Sequence, residues 1–231
     1  MKYFYLYIFA LVCFILVMSY WNSHGSFYVE GFNPEKQHFI LLGDSVFKND
    51  VYVANGKSVD VLLKEKTNGE TTTLAVNDSI ISDVYYQLDK IPDSLKSRSA
   101  SVKVYKNTTI FLSVGGNDIL AQFDEKNKEF DIKIIDTIFT AYEKLVKTIQ
   151  AVMPNAIIVL VDIYYPENIK YKKYHKIIET WNEKLDKFAR ENNFELLQIS
   201  LVLTLPEDFT FDIEPSAIGS EKIVDAIMKS F

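Results

Sequence analysis

His38-Phe39-Ile40-Leu41-Leu42-Gly43-Asp44-Ser45 is the stretch on which the fold turns. A short run of large apolar residues ending in Gly-Asp-Ser suits a strand buried on both faces and closed by a turn. Comparable runs recur at Thr72–Val76, Thr109–Val114, Ala156–Ile163 and Phe194–Ile199. Between them, Val59–Lys66, Ile80–Leu88, Ile132–Met153, Tyr171–Asn192 and Ser220–Phe231 carry helical spacing. In Tyr171–Asn192, for example, Ile177, Ile178, Trp181, Leu185 and Phe188 share one face. Such β-α alternation predicts a mostly parallel sheet of five strands wrapped by helices, a flavodoxin-like three-layer α/β/α sandwich. Its crossovers are right-handed, and its ligand contacts fall at the carboxyl ends of the strands.

The bulk properties narrow the field. A chain of 231 residues that is 48% hydrophobic can bury a globular core and fits one domain plus an extension. The formal net charge is −6, and no Lys/Arg-rich stripe exists to neutralise phosphates, so nucleic acid is excluded as the expected partner. Cys13 is the single cysteine, which rules out an intrachain disulfide and a cysteine-based zinc site.

Before the first strand, Tyr3 to Trp21 contains no charged residue. About 20 apolar residues in a helix cross a hydrocarbon core of about 30 Å. Tyr3, Tyr5, Tyr20 and Trp21 would sit at the headgroup levels, and Lys2 biases the N-terminus towards the cytoplasm. The run exceeds a signal-peptide core, and Ser23 and Gly25 make a weak cleavage site. The expected organisation is therefore a transmembrane anchor over residues 1–21, with a cleaved signal peptide as its rival. A stalk follows over residues 22–37, then a domain over residues 38–231 on the extracytoplasmic side.

Two small polar motifs fall at strand ends: Gly43-Asp44-Ser45 after the first strand, and Gly115-Gly116-Asn117-Asp118 after Ile110-Phe111-Leu112-Ser113-Val114. As isolated turns they would be ordinary, since these residue types favour turns for backbone reasons. Their order, and a separation of about 70 residues, suit a sheet whose first and third strands are neighbours. Together the motifs resemble the first and third sequence blocks of the SGNH (GDSL-type) hydrolases. The resemblance implies that Ser45 is the nucleophile and that its N–H helps to bind the oxyanion. It implies that Asn117 donates a side-chain N–H to the same oxygen, with Gly43, Asp44, Gly115 and Gly116 shaping the turns. No metal or organic cofactor is implied.

Two positions depart from that pattern. The second block supplies an oxyanion-binding glycine, whereas Leu74-Ala75-Val76-Asn77-Asp78-Ser79-Ile80 places Asp78 there. Asp78 keeps a backbone N–H but would be strained at positive φ, and Asn77 or Asp78 could instead cap the next helix. The fifth block reads Asp-x-x-His-Pro in the family, but here Phe211-Asp212-Ile213-Glu214-Pro215 puts Glu214 in the histidine position. The three histidines, His24, His38 and His175, lie far from that block in sequence. A glutamate is normally too acidic to deprotonate a serine at neutral pH, but burial or a neighbouring carboxylate such as Asp212 would raise its pKa. Otherwise Glu214 is a helix cap or part of a silent site.

The expected activity is accordingly hydrolysis of a small acyl or glycan ester, with Ser45 attacking, Glu214 helped by Asp212 as base, and Ser45, Asp78 and Asn117 binding the oxyanion. The alternatives are a membrane-displayed binding module that has lost turnover, and acyl transfer to a sugar. The oligomeric state is left open.

Overall fold

The computed structural model describes residues 37–96, 107–122 and 132–230. Strands β1 (Gln37–Gly43), β2 (Thr71–Thr73), β3 (Asn107–Ser113), β4 (Ile157–Val161) and β5 (Glu195–Leu197) form one sheet in the order β2-β1-β3-β4-β5. Every pairing in it is parallel. The expected apolar runs thus became strands that end before their sequence boundaries, because the sheet ladder ends where the chain turns.

Alternation along these strands sends Ile40, Leu42, Ile110, Leu112, Ile158 and Leu160 to one face, into a core shared with three helices. Those helices are α2 (Ile81–Asp89), α5 (Ile132–Val152) and α6 (His175–Asn192). Trp181, fully buried on α6, packs its ring edge-on against Phe139 at 5.1 Å and Tyr142 at 5.4 Å. Phe39, Leu41 and Phe111 point the other way. The helices α1 (Val59–Lys66) and α7 (Ala217–Lys229) pack together and bury Val59, Leu63, Ile223, Val224 and Ile227. Three layers result, and the described residues, all within Pro34–Phe231, form one compact unit.

Three short features were not foreseen. The helices α3 (Asp93–Lys96) and α4 (Gly116–Ala121) have too few residues for apolar periodicity to register. A two-stranded antiparallel hairpin, β6 (Phe209–Thr210) with β7 (Glu214–Pro215), carries the segment before α7. No helix among the described residues is long and apolar enough to cross a membrane. The expected span, Tyr3 to Trp21, lies outside the described residues, as does His24.

The strand order has one consequence for function. The chain leaves β1 for β2, then returns past β1 to β3, so the carboxyl ends of β1 and β3 flank a topological switch point, where parallel α/β sheets open a crevice. Gly43 is in register with Ser113, which brings the two polar motifs side by side.

Candidate active site

Gly43 ends β1 at φ +120°, and a Cβ there would lie 1.7 Å from the Ser113 carbonyl oxygen, so only glycine allows β1 and β3 to come this close before the turn. The Asp44 N–H donates to Ser113 O at 3.0 Å, and the Asp44 carboxylate accepts from the Val46 N–H at 3.1 Å and the Ser113 hydroxyl at 3.3 Å. These bonds hold the turn that presents Ser45, itself largely buried. Burial pushes the Asp44 carboxyl up to about 7, and the nearby Glu214 and Asp118 charges add to the rise.

Gly115 follows β3 at φ +119°, its α-carbon against the Trp181 ring, and α4 begins at Gly116. Asn117, in the first turn of α4, donates from its amide to Ser79 O at 3.1 Å. Asp118 accepts from the Ile81 N–H at 3.0 Å. The motif after β3 is thereby tied to the loop after β2. Burial raises Asp118 to about 6, against the lowering effect of that N–H.

Asp78 sits on that same loop at φ +61°, the left-handed conformation a glycine would adopt freely and one that aspartate tolerates better than most residues. It does not cap α2. Asp118 takes the Ile81 N–H and Asp83 takes the Ile80 N–H at 2.9 Å, so Asp78 is left for the crevice. Among the described residues, neither the Ser45 nor the Asp78 backbone N–H has an internal acceptor. Gln87, buried on α2, locks the two loops together: its amide donates to Gly43 O at 2.8 Å and Ser79 Oγ at 3.2 Å, and its carbonyl accepts from the Gly43 N–H at 2.7 Å.

Glu214 reaches the same place from the hairpin. Its carboxylate faces the Ser45 hydroxyl, which favours the charged form by hydrogen bonding. Burial dominates and raises its pKa, and the Asp78 charge raises it further. The second carboxylate oxygen, Oε2, is buried and has no partner among the described residues. Final-helix capping falls to Ser216, whose hydroxyl accepts from the Gly219 N–H at 3.1 Å, so Glu214 is not spent as a cap.

Asp212, expected beside Glu214, is engaged elsewhere. Its carboxylate accepts from Asn168 Nδ2 at 2.6 Å and pairs with Lys170 Nζ at 2.5 Å. Asp78 is a carboxylate whose charge does reach Glu214. Phe211 and Asp212, at φ +45° and +72°, form the tip of the hairpin, and the Tyr164 hydroxyl donates to Ile213 O at 2.7 Å. Asp212 thus anchors the turn that carries Glu214 instead of adjoining the carboxylate. The two described histidines, His38 and His175, stand apart. His38 bonds Thr72 and Glu70 at the amino end of β1, the edge opposite Ser45, and His175 is tied to Pro166 O at 2.9 Å.

Asn49 was not singled out in the sequence, where it follows Lys48 and precedes Asp50 without periodic apolar neighbours. It is fully buried, donates to Pro215 O at 2.9 Å and Ser220 Oγ at 2.7 Å, and accepts from the Val59 N–H at 3.0 Å. Tyr52 borders the site from the same loop, its ring 5.7 Å from that of Phe211, and burial together with the Glu214 and Asp78 charges raises its hydroxyl. Beyond Gly116, an apolar cavity extends between α4, α6 and the hairpin.

A parallel sheet whose switch point gathers a Gly-Asp-Ser turn and an asparagine-bearing helix start defines an α/β protein of the SGNH hydrolase fold. The chain belongs to the GDSL-like lipase/acylhydrolase family, whose model matches residues 41–222. Three solved structures illustrate the fold, each covering 84% of this chain. A lipase from a goat rumen metagenome is 18% identical over 97% of its own chain, with a TM-score of 0.62. An acetyl xylan esterase is 17% identical over 98% of its chain, with a TM-score of 0.61. A phospholipase A1 from Streptomyces albidoflavus NA297 is 13% identical over 99% of its chain, with a TM-score of 0.59. No curated protein matches the chain.

Proposed function

We propose that this member of a family of ester-bond hydrolases is a serine esterase whose base is Glu214, in place of the usual histidine. The observation that carries the reading is that the Ser45 hydroxyl faces a buried carboxylate of raised pKa. A base is most effective when its pKa approaches the working pH, and burial with the Asp78 charge moves Glu214 in that direction.

Ser45 Oγ attacks the acyl carbonyl carbon and its proton passes to Glu214. The resulting oxyanion is met by the Ser45 and Asp78 backbone N–H groups and by the Asn117 side chain. That role is supported by the absence of internal acceptors for the two N–H groups among the described residues. Collapse breaks the bond to the alcohol, which leaves with the proton returned by Glu214. Water, deprotonated by Glu214, then attacks the acyl-serine, and the proton goes back to Ser45 as the acid departs. Asp78 tunes the base, while Asp212 acts as a positioning residue through Lys170 and Asn168.

We further propose that Tyr3–Trp21 tethers the domain to a membrane, with the N-terminus cytoplasmic. The lack of charge in that run supports this. Hydrolysis of p-nitrophenyl esters by the wild type and by Ser45→Ala tests the enzymatic reading. The absence of Ser45-dependent turnover would replace it with a non-catalytic binding role for the crevice.

A further inference from the structure

The relatives with solved structures include an acetyl xylan esterase and two lipid-directed enzymes, so the fold leaves the acyl group undecided. The apolar cavity beside the site bears on that choice. Its walls include Ile119 and Leu120 of α4, Ile178 of α6, Tyr171 and Tyr174, and Ile213 of the hairpin. Tyr171 and Tyr174 belong to the 3-10 turn Ile169–Tyr174, and their rings stack 5.8 Å apart.

Three wall residues connect the cavity to the reacting groups. Gly116 precedes Asn117 and Ile213 precedes Glu214. The hydroxyl of Tyr164, a third wall residue, feels the charges of both Glu214 and Asp44. A chain leaving an acyl carbonyl at Ser45 therefore has an apolar path between α4 and the hairpin. An acetyl group would leave it empty.

We infer that this cavity is an acyl-chain pocket, which makes the substrate an ester of a medium-length aliphatic acid instead of an acetyl ester, with Leu120 setting how much chain is accepted. The inference rests on the serine-esterase reading and deepens it. Each methylene buried in such a pocket raises kcat/KM by up to about fourfold.

The test compares p-nitrophenyl octanoate with p-nitrophenyl acetate, using the wild type, Leu120→Trp, which fills the pocket, and Leu120→Gln, which puts an amide into its wall. The wild type should prefer octanoate at least tenfold in kcat/KM, and both variants should cut that preference at least tenfold. A wild type that turns over both esters but prefers acetate, or a preference unchanged in both variants, overturns the pocket and leaves the esterase reading intact. Titration calorimetry with octanamide and acetamide separates the two ideas if neither ester is turned over. These probes are neutral because the carboxylates around Ser45 would repel free fatty acid. Octanamide binding that Leu120→Trp weakens at least tenfold upholds the pocket while the esterase reading fails, and no octanamide binding overturns the pocket too.

Discussion

The Asn49 amide donates to the Pro215 carbonyl at 2.9 Å, joining the loop that follows Ser45 to the hairpin that carries Glu214 across 166 positions of sequence. The same side chain also bonds Ser220 and Val59, so one buried residue sets the distance between the two loops on which the reaction would depend. Asn49→Ala removes three buried hydrogen bonds and leaves the Val59 N–H without its acceptor. It should cost about 2–4 kcal/mol of stability in urea unfolding and lower kcat more than it raises KM, because the base loses its register with the serine. A variant as stable and as active as the wild type would show that the link is incidental.

Gly115 offers a test of packing beneath the site. A Cβ at this position would approach the Trp181 ring to 2.5 Å on a backbone at φ +119°, where L side chains are strained. Gly115→Ala should therefore destabilise by about 1–3 kcal/mol and displace α4 with Asn117. Thermal unfolding and activity together read the effect, and a loss of stability with unchanged kcat would separate the core from the site.

Asp44 predicts a pH dependence of stability. Its carboxyl is raised to about 7 in the folded protein, mainly by burial, against about 4 in an unfolded chain. Between these values the folded state holds a proton that the unfolded state has released, so this group's contribution is full below about pH 4 and is lost as pH rises towards 7. Asp44→Asn, which can still accept from Val46 and Ser113, should flatten the decline in stability over that window. An unchanged pH profile would mean that Asp44 stays ionised when folded.

The N-terminal segment gives a cellular prediction. Full-length protein should stay with membranes after carbonate extraction and keep its first residues, whereas a form beginning near Glu35 should remain in the supernatant. Recovery of a mature chain starting near Ser26 would instead point to a cleaved signal peptide.

The core of this fold was legible because its strands are short apolar runs and its main helices carry a clear apolar stripe. The Trp181 face of α6, for instance, buries the five residues that the spacing selects. Ser45 and Asn117 could be placed because each lies directly after such a run, and parallel pairing of β1 with β3 makes strand ends coincide. Positions fixed by long-range polar contacts were not legible. Asn49 gives no periodic signal, and Asp212 sits near Glu214 in sequence while its carboxylate turns to Lys170. Gln87 did leave a trace: it occupies an apolar phase of α2 next to Leu88, where a buried amide needs partners.

The central claim is that Glu214 is the base for Ser45, and the most direct test is the pH profile of kcat/KM for a p-nitrophenyl ester between pH 4 and 9. Only the ionised carboxylate accepts a proton, so the rate should rise with pH through the raised Glu214 pKa and then stay level. Asp78→Asn, which keeps a side chain suited to positive φ and removes the like charge, should move that rise to lower pH. Glu214→Gln should abolish most of the rate without unfolding the protein, and Ser45→Ala should abolish the rest. A folded Glu214→Gln that retains most of the wild-type rate, or a wild type without Ser45-dependent turnover anywhere in this range, would contradict the account.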